Sequence, residues 1–137
     1  MDTDLFSAFL ISEDTLRIYR DDELIFFSDK DGLKPLMEFL EDYGPATEPV
    51  IIYDKIMGNA AALLAVVVKC SEVNSPLGSE PAVDTLEQFG IAYNLSEIVP
   101  YITRADGKGM CPMEKLSLNK TPDEFYREMK ARMASSE

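Results

Sequence analysis

The sequence predicts an α/β protein, a three-layer α/β/α sandwich built on a mixed sheet. A hairpin pattern near the start of the chain is followed by segments that alternate between strand-like and helix-like spacing of apolar residues. Such alternation is typical of a sheet with helices packed on its faces. Strands joined by a hairpin pair antiparallel and strands joined through a helix pair parallel, so the sheet is expected to contain both arrangements.

The hairpin is predicted from two short segments rich in apolar residues, 16–18 and 24–26, that flank a polar stretch. That stretch, residues 20–23, reads Arg, Asp, Asp and Glu, and aspartate favours turns. We therefore expect two antiparallel strands joined by a tight turn.

An amphipathic helix and a buried strand come next. Apolar residues recur at helical spacing over residues 33–43, with Pro35 in the first turn and Gly44 just beyond the end, which are typical start and stop signals. The continuous apolar run at 50–53 indicates a strand covered on both faces, which we place near the centre of the sheet. Ligands of such sheets bind beyond the carboxyl ends of strands, so residues 54–59 are the first place to look for a site.

The second half of the chain continues the alternation. The helix predicted at 58–65 is apolar nearly all round, and we expect it to be buried. We also predict short strands at 72–75 and 91–93, with a helix at 79–90 between them. An extended segment at 99–102 and a turn at 106–109 follow, and residues 121–124 form the capping box of a C-terminal helix.

Length and composition indicate a single domain, residues 1–137, with a core at about 14–133. The chain is 46% hydrophobic, which favours a folded protein, and its net charge of −12 disfavours binding to a nucleic-acid backbone. The longest apolar run, 60–68, is too short for a membrane span, which needs about twenty residues, and the acidic N-terminus differs from a basic secretory signal. Two cysteines, Cys70 and Cys111, are typical of reduced thiols rather than of a disulfide framework. We therefore expect a cytoplasmic protein.

The chain contains no histidine. This excludes Ser-His-Asp and Cys-His catalytic pairs and His-ligated zinc, and it leaves no side chain that titrates near neutrality at its ordinary pKa. Any chemistry would have to use carboxylates, thiols, lysine or tyrosine.

Five sequence blocks together resemble a small prokaryotic family of unknown function whose members adopt a cytidine-deaminase-like fold. The resemblance runs from about residue 14 to about residue 133, and its two most specific motifs surround Gly58 and Cys111. The blocks are GLKPL at 32–36, DKIMGNAAA at 54–62, SEPA at 79–82, VPYI at 99–102 and CPMEK at 111–115.

The resemblance implies the deaminase fold without the deaminase reaction. Zinc deaminases place a His or Cys with a catalytic Glu at one helix start and two Cys in a Pro-Cys-x-x-Cys pattern at another. Here the helix start at 58–60 is Gly-Asn-Ala, and residues 111–114 read Cys-Pro-Met-Glu. We therefore expect no zinc, no other cofactor and no deaminase activity.

Two candidate site residues lie at the start of the helix that follows the central strand. Free backbone N–H groups at this helix start could face a ligand, with Gly58 allowing close approach and Asn59 supplying an amide. The alternative is a tight packing turn in which Asn59 caps the helix. Asp54, at the end of the strand, could orient a ligand or could serve only as a turn residue.

A second group of candidates lies near Cys111. This cysteine begins a predicted helix after a loop that carries Arg104 and Lys108, so the helix dipole and the cations could favour its thiolate, whereas Glu114 would act against it. The alternatives are a small buried Cys111 and an Arg104 that is solvated or paired instead of contacting an anion.

Three functions are consistent with these residues. The first is a binding protein for a nucleotide-like or anionic small molecule, whose contacts come from the two predicted helix starts and the loop between them. The second is an enzyme that uses the Cys111 thiolate, and the third is a non-catalytic regulatory module that self-associates into a homo-oligomer. The candidate ligand-binding residues are Asp54, Gly58, Asn59, Arg104, Cys111 and Glu114.

Overall fold

A computed structural model describes residues 2–135 as a five-stranded sheet with six helices. Met1 and residues 136–137 of the predicted domain lie outside the described part of the chain. The elements in chain order are α1 Thr3–Ile11, β1 Leu16–Arg20, β2 Glu23–Ser28, α2 Lys34–Tyr43, β3 Ile51–Asp54, α3 Asn59–Val68, β4 Glu72–Ser79, α4 Glu80–Gln88, β5 Ala92–Val99, α5 Pro112–Ser117 and α6 Pro122–Ser135.

The sheet is mixed, as predicted. Its strand order is β2-β1-β3-β4-β5, so the strand after α2 is the middle one. β1 pairs antiparallel with both β2 and β3, whereas β3, β4 and β5 are mutually parallel across successive helical connections. The hairpin turn places Asp21 at a φ of 54°, a left-handed conformation that aspartate tolerates better than most residues.

Helices cover both faces of the sheet. Because adjacent residues of a strand point to opposite faces, the same strand contributes side chains to two cores. Ile18 and Ile52 belong to the larger core, which contains residues of α2, α3, α4 and α6. Their chain neighbours Tyr19 and Tyr53 form a second, smaller core with the aromatic residues of α1. The Tyr53 ring lies 6.0 Å from the Phe9 ring and 5.5 Å from the Tyr19 ring, measured between centroids.

The sequence interpretation missed α1. Asp2 caps the helix: its Oδ1 accepts the backbone N–H groups of Asp4 and Leu5 at 3.0 and 3.1 Å. Phe6 and Phe9 are buried against the sheet. Packing on the sheet therefore stabilises a helix of only nine residues, a length that is marginal in isolation.

The helix predicted to be buried all round is α3, and the prediction is confirmed. Of its ten residues, only Val66 and Val67 are not buried. The sheet lies on one side of α3, and α6 packs against it with the buried side chains of Phe125 and Met129. Despite this apolar character, none of the helices within residues 2–135 has the length and apolar composition that crossing a membrane would require.

The two strands predicted in the second half are longer in the structure. β4 continues past the predicted end at residue 75, through Pro76 to Ser79. Its registered pairing with β3 stops at Asn74, so Pro76 lies beyond that pairing. β5 likewise extends to Val99 because it pairs with the added length of β4.

Candidate functional site

A cleft of about 380 Å³ lies at the carboxyl end of β3, where the sheet rule predicted a site. The starts of α2, α3 and α5 form three of its walls, and Ile102, Thr103 and Ala105 form another. Asp54, the last residue of β3, lines the cleft. Three helix starts and a strand end therefore converge on one concave surface.

A larger depression of about 490 Å³ lies at the opposite end of β3, between the hairpin turn and the end of α2. Its lining includes Tyr43 and the ion pair of Arg20 with Glu48, which lie 3.8 Å apart. It contains none of the six predicted site residues. The cleft at the carboxyl end of β3 is therefore the candidate site.

The structure brings four of the six predicted residues together in this cleft, namely Asp54, Gly58, Cys111 and Glu114. Arg104 does not line it: its side chain is 55% exposed, and its Nε lies 3.7 Å from Asp106 Oδ1. The predicted contact of Arg104 with an anionic ligand in the cleft is thus not supported, because the guanidinium is oriented toward a neighbouring carboxylate.

The Asn59 side chain is also absent from the cleft lining, because it lies in a buried polar network. Its Nδ2 donates to Ser117 Oγ at 3.0 Å, and its Oδ1 accepts the Thr85 hydroxyl. These bonds connect α3 with α5 and α4. The structure thus places Asn59 in a packing role rather than in contact with a ligand, and the helix cap itself is Gly58.

The side chain of Glu114, a residue of α5, lies at the N-terminus of α3. Its side chain is 2% exposed, its Oε1 accepts the Asn59 backbone N–H at 2.6 Å, and its Oε2 accepts the Ile102 backbone N–H at 2.6 Å. The positive end of the helix dipole favours a negative charge at this position. The helix start that was predicted to face an anionic ligand is therefore already occupied by the Glu114 carboxylate.

Gly58 allows close packing within the protein, rather than the close approach of a ligand that the sequence suggested. A Cβ atom at this position would lie 2.9 Å from Ile102 Cγ1 and 3.3 Å from Glu114 Oε1. The backbone φ of −79° is open to any residue, so space alone requires glycine here.

We expect Gly58→Ala to lower the free energy of unfolding by about 1 to 2 kcal/mol, because the added methyl overpacks the contact with Ile102 and Glu114. Urea denaturation measures the change. Full stability in Gly58→Ala would contradict the prediction.

The fold alters the titration of Asp54, a carboxyl of the cleft lining. Burial raises its pKa to about 7, and hydrogen bonds from the backbone N–H groups of Ile56 and Lys55 counteract part of that rise. The Ile56 bond is long, at 3.3 Å. A protein without histidine thus has a group that exchanges a proton near neutrality, which the sequence could not reveal because aspartate normally titrates near pH 4.

The two cysteines lie in different surroundings. Cys111 is partly exposed and lines the cleft, and its backbone N–H donates to the Ile102 carbonyl at 2.8 Å. Cys70 is buried, and burial raises the pKa of its thiol to about 12. The buried, unreactive alternative considered for Cys111 thus describes Cys70 better.

We expect iodoacetamide to alkylate Cys111 and to leave Cys70 unmodified in the native protein at pH 8, because only Cys111 is accessible. Peptide mass spectrometry locates the adduct. Denaturation before alkylation should label both thiols. Native modification of Cys70 at a comparable rate would contradict this accessibility.

The start of α2 is the wall of the cleft that sequence reasoning did not assign to the site. Asp31, Gly32 and Leu33 line the cleft there, and Gly32 has a φ of 67°. The signal was present, because this segment begins one of the five blocks of the resemblance. Its approach to Glu114 and Cys111 depends on the fold and could not be seen in the chain order.

The cleft does not fit a zinc site. Its lining has one thiol, that of Cys111, and both oxygens of the buried Glu114 carboxylate already accept backbone N–H groups. Within residues 2–135, no group of three or more His, Cys, Asp or Glu side chains is placed to hold a metal ion.

Fold and cleft together define an α/β protein with a mixed five-stranded sheet and a candidate site beyond its central strand. Residues 7–133 match the model of the TM1506 family, a domain of unknown function designated DUF1893, and the chain belongs to this family. It is 31% identical to a DUF1893 family protein (TM1506) from Thermotoga maritima, whose crystal structure superimposes with a TM-score of 0.84 over 96% of this chain and 92% of the other. No curated protein matches the sequence.

Proposed function

We propose that this protein binds a small organic molecule in the cleft at the carboxyl end of β3. The cleft itself carries the proposal: its volume of about 380 Å³ is within the range of small-molecule sites, and its lining combines apolar side chains with a few polar groups. The scaffold is proposed to be cytidine-deaminase-like without the zinc ligands, in keeping with the blocks around Gly58 and Cys111.

The charges of the cleft favour a different ligand from the anionic one expected from sequence. Asp31, Asp54 and Glu114 line it. Of the basic residues, Lys55 lines it with its Nζ bonded to the Ser12 carbonyl oxygen, and Arg104 points to Asp106. A phosphate or carboxylate would meet like charges, and it could reach the α3 N-terminus only by displacing Glu114. The proposal is therefore a neutral or cationic ligand.

Native mass spectrometry of freshly purified protein tests the proposal and also gives the subunit count. We expect an organic mass increment that is lost in Ile56→Gln, because Ile56 lines the cleft and is 49% exposed. Ile98→Gln is the matched control: this side chain is also 49% exposed but lies on β5, outside the cleft lining. The bare polypeptide mass in repeated gentle preparations, or an increment that both variants keep, would contradict the proposal.

A further inference from the structure

We propose that the ligand of the cleft carries a positively charged amine or amidinium group, which pairs with Asp54, on an apolar body that packs against the cleft walls. This inference rests on the proposed function and adds the chemical class of the ligand. It depends on the position of Asp54, on the charges around it and on the apolar side chains beside it.

Asp54 lacks a cationic partner among residues 2–135. In the described part of the chain, no Lys or Arg nitrogen lies within 4.0 Å of its carboxylate. Lys55, the nearest basic residue in sequence, directs its Nζ to the Ser12 carbonyl oxygen at 3.0 Å and lies over the Phe9 ring at 4.7 Å. A cationic ligand would therefore provide the pairing that the fold does not.

The other titratable groups of the cleft do not offset this negative charge. Glu114 comes from α5 and is held by backbone N–H groups, and Asp31 is an exposed carboxylate before α2. Cys111 is the remaining titratable side chain of the lining besides Lys55. A cation entering the cleft would thus meet carboxylates from two directions, and the ammonium group of Lys55 in the lining is bonded to the Ser12 carbonyl oxygen instead.

Apolar walls lie beside Asp54. Leu33, Ile102 and Met113 line the cleft from three different segments, and Ile56 contributes a large side chain that is half exposed. Contact between water and such a side chain is unfavourable, and an apolar ligand body that covers the side chain would remove this contact. A ring or short hydrocarbon bearing one cationic group matches both features.

Three probes of nearly equal shape separate charge from size: benzamidine is cationic, benzamide neutral and benzoate anionic. We expect NMR titration of the labelled protein at pH 8 to give a dissociation constant about tenfold lower for benzamidine than for benzamide, and no binding of benzoate, because charge-assisted hydrogen bonds are roughly twice as strong as neutral ones. The shifted resonances should be those of cleft residues.

Two variants assign the charge effect to Asp54. Asp54→Asn should lower the affinity for benzamidine to that for benzamide while leaving benzamide binding intact, which also shows that the cleft is still formed. Asp84→Asn, an exposed carboxyl of α4 outside the cleft lining, should change neither affinity. Because burial raises the pKa of Asp54 to about 7, benzamidine binding to the wild-type protein should also weaken at pH 5.5.

Equal affinities for benzamidine and benzamide, tighter binding of benzoate, or unchanged benzamidine affinity in Asp54→Asn would overturn the inference. In each case binding in the cleft would still support a small-molecule site there, but tighter binding of benzoate would also contradict the neutral or cationic ligand class given under the proposed function. Failure of all three probes would also overturn it, and the mass increment that depends on Ile56 would then decide the proposed function separately.

Discussion

Glu114→Gln is expected to lower the free energy of unfolding by about 3 kcal/mol. Both oxygens of this buried carboxylate accept backbone N–H groups, from Asn59 and Ile102. Glutamine has one acceptor oxygen, so its amide NH₂ would face one of these N–H groups and leave a buried donor unsatisfied. Urea denaturation of the two proteins measures the loss.

Hydrogen exchange adds a local measurement to this experiment. The amides of Asn59 and Ile102 should exchange faster in the variant, because they lose their acceptor. Glu87→Gln, an exposed carboxyl on α4, should stay within about 0.5 kcal/mol of wild type. If Glu114→Gln also left the free energy of unfolding unchanged, Glu114 would not be the group that holds Ile102 against the start of α3.

The parts of the fold that the sequence predicted are those with local signals. The capping box is an example: the Thr121 N–H donates to Glu124 Oε1 at 2.9 Å, and the Glu124 N–H donates to Thr121 Oγ1 at 3.1 Å. Pro35 and Gly44 likewise lie at the start and end of α2 as expected. By contrast, α1 depends on packing against the rings of Tyr19 and Tyr53 in β1 and β3, and β4 continues past its predicted end at residue 75 to Ser79.

The candidate site was predictable in place but not in detail. The end of the central strand indicates Asp54 from the sheet rule alone. Whether Asn59 faces a ligand depends on Thr85 and Ser117, which lie 26 and 58 residues further along the chain. The same holds for Glu114, whose position on the α3 N-terminus reverses the expected charge of the site and follows only from the fold.

Asp54→Asn is expected to stabilise the protein at pH 8 by up to about 4 kcal/mol and to have little effect at pH 4. Burial raises the pKa of Asp54 to about 7 in the folded state, whereas an unfolded aspartate titrates near 3.9. Between these values the folded state binds more protons than the unfolded state, so wild-type stability falls as pH rises from about 4 to about 7. Asparagine carries no such proton, and its carbonyl oxygen can still accept the Ile56 N–H.

The quantity to measure is the difference in unfolding free energy between Asp54→Asn and wild type, by urea denaturation at several pH values from 4 to 8. This difference removes the effect of the net charge of −12, which also makes stability depend on pH but is nearly common to both proteins. Asp84→Asn removes an equal charge at an exposed position and should give a difference that is flat within about 0.5 kcal/mol. A flat difference for Asp54→Asn as well would mean that the folded and unfolded states have the same pKa at Asp54. This carboxyl would then not exchange protons near neutrality.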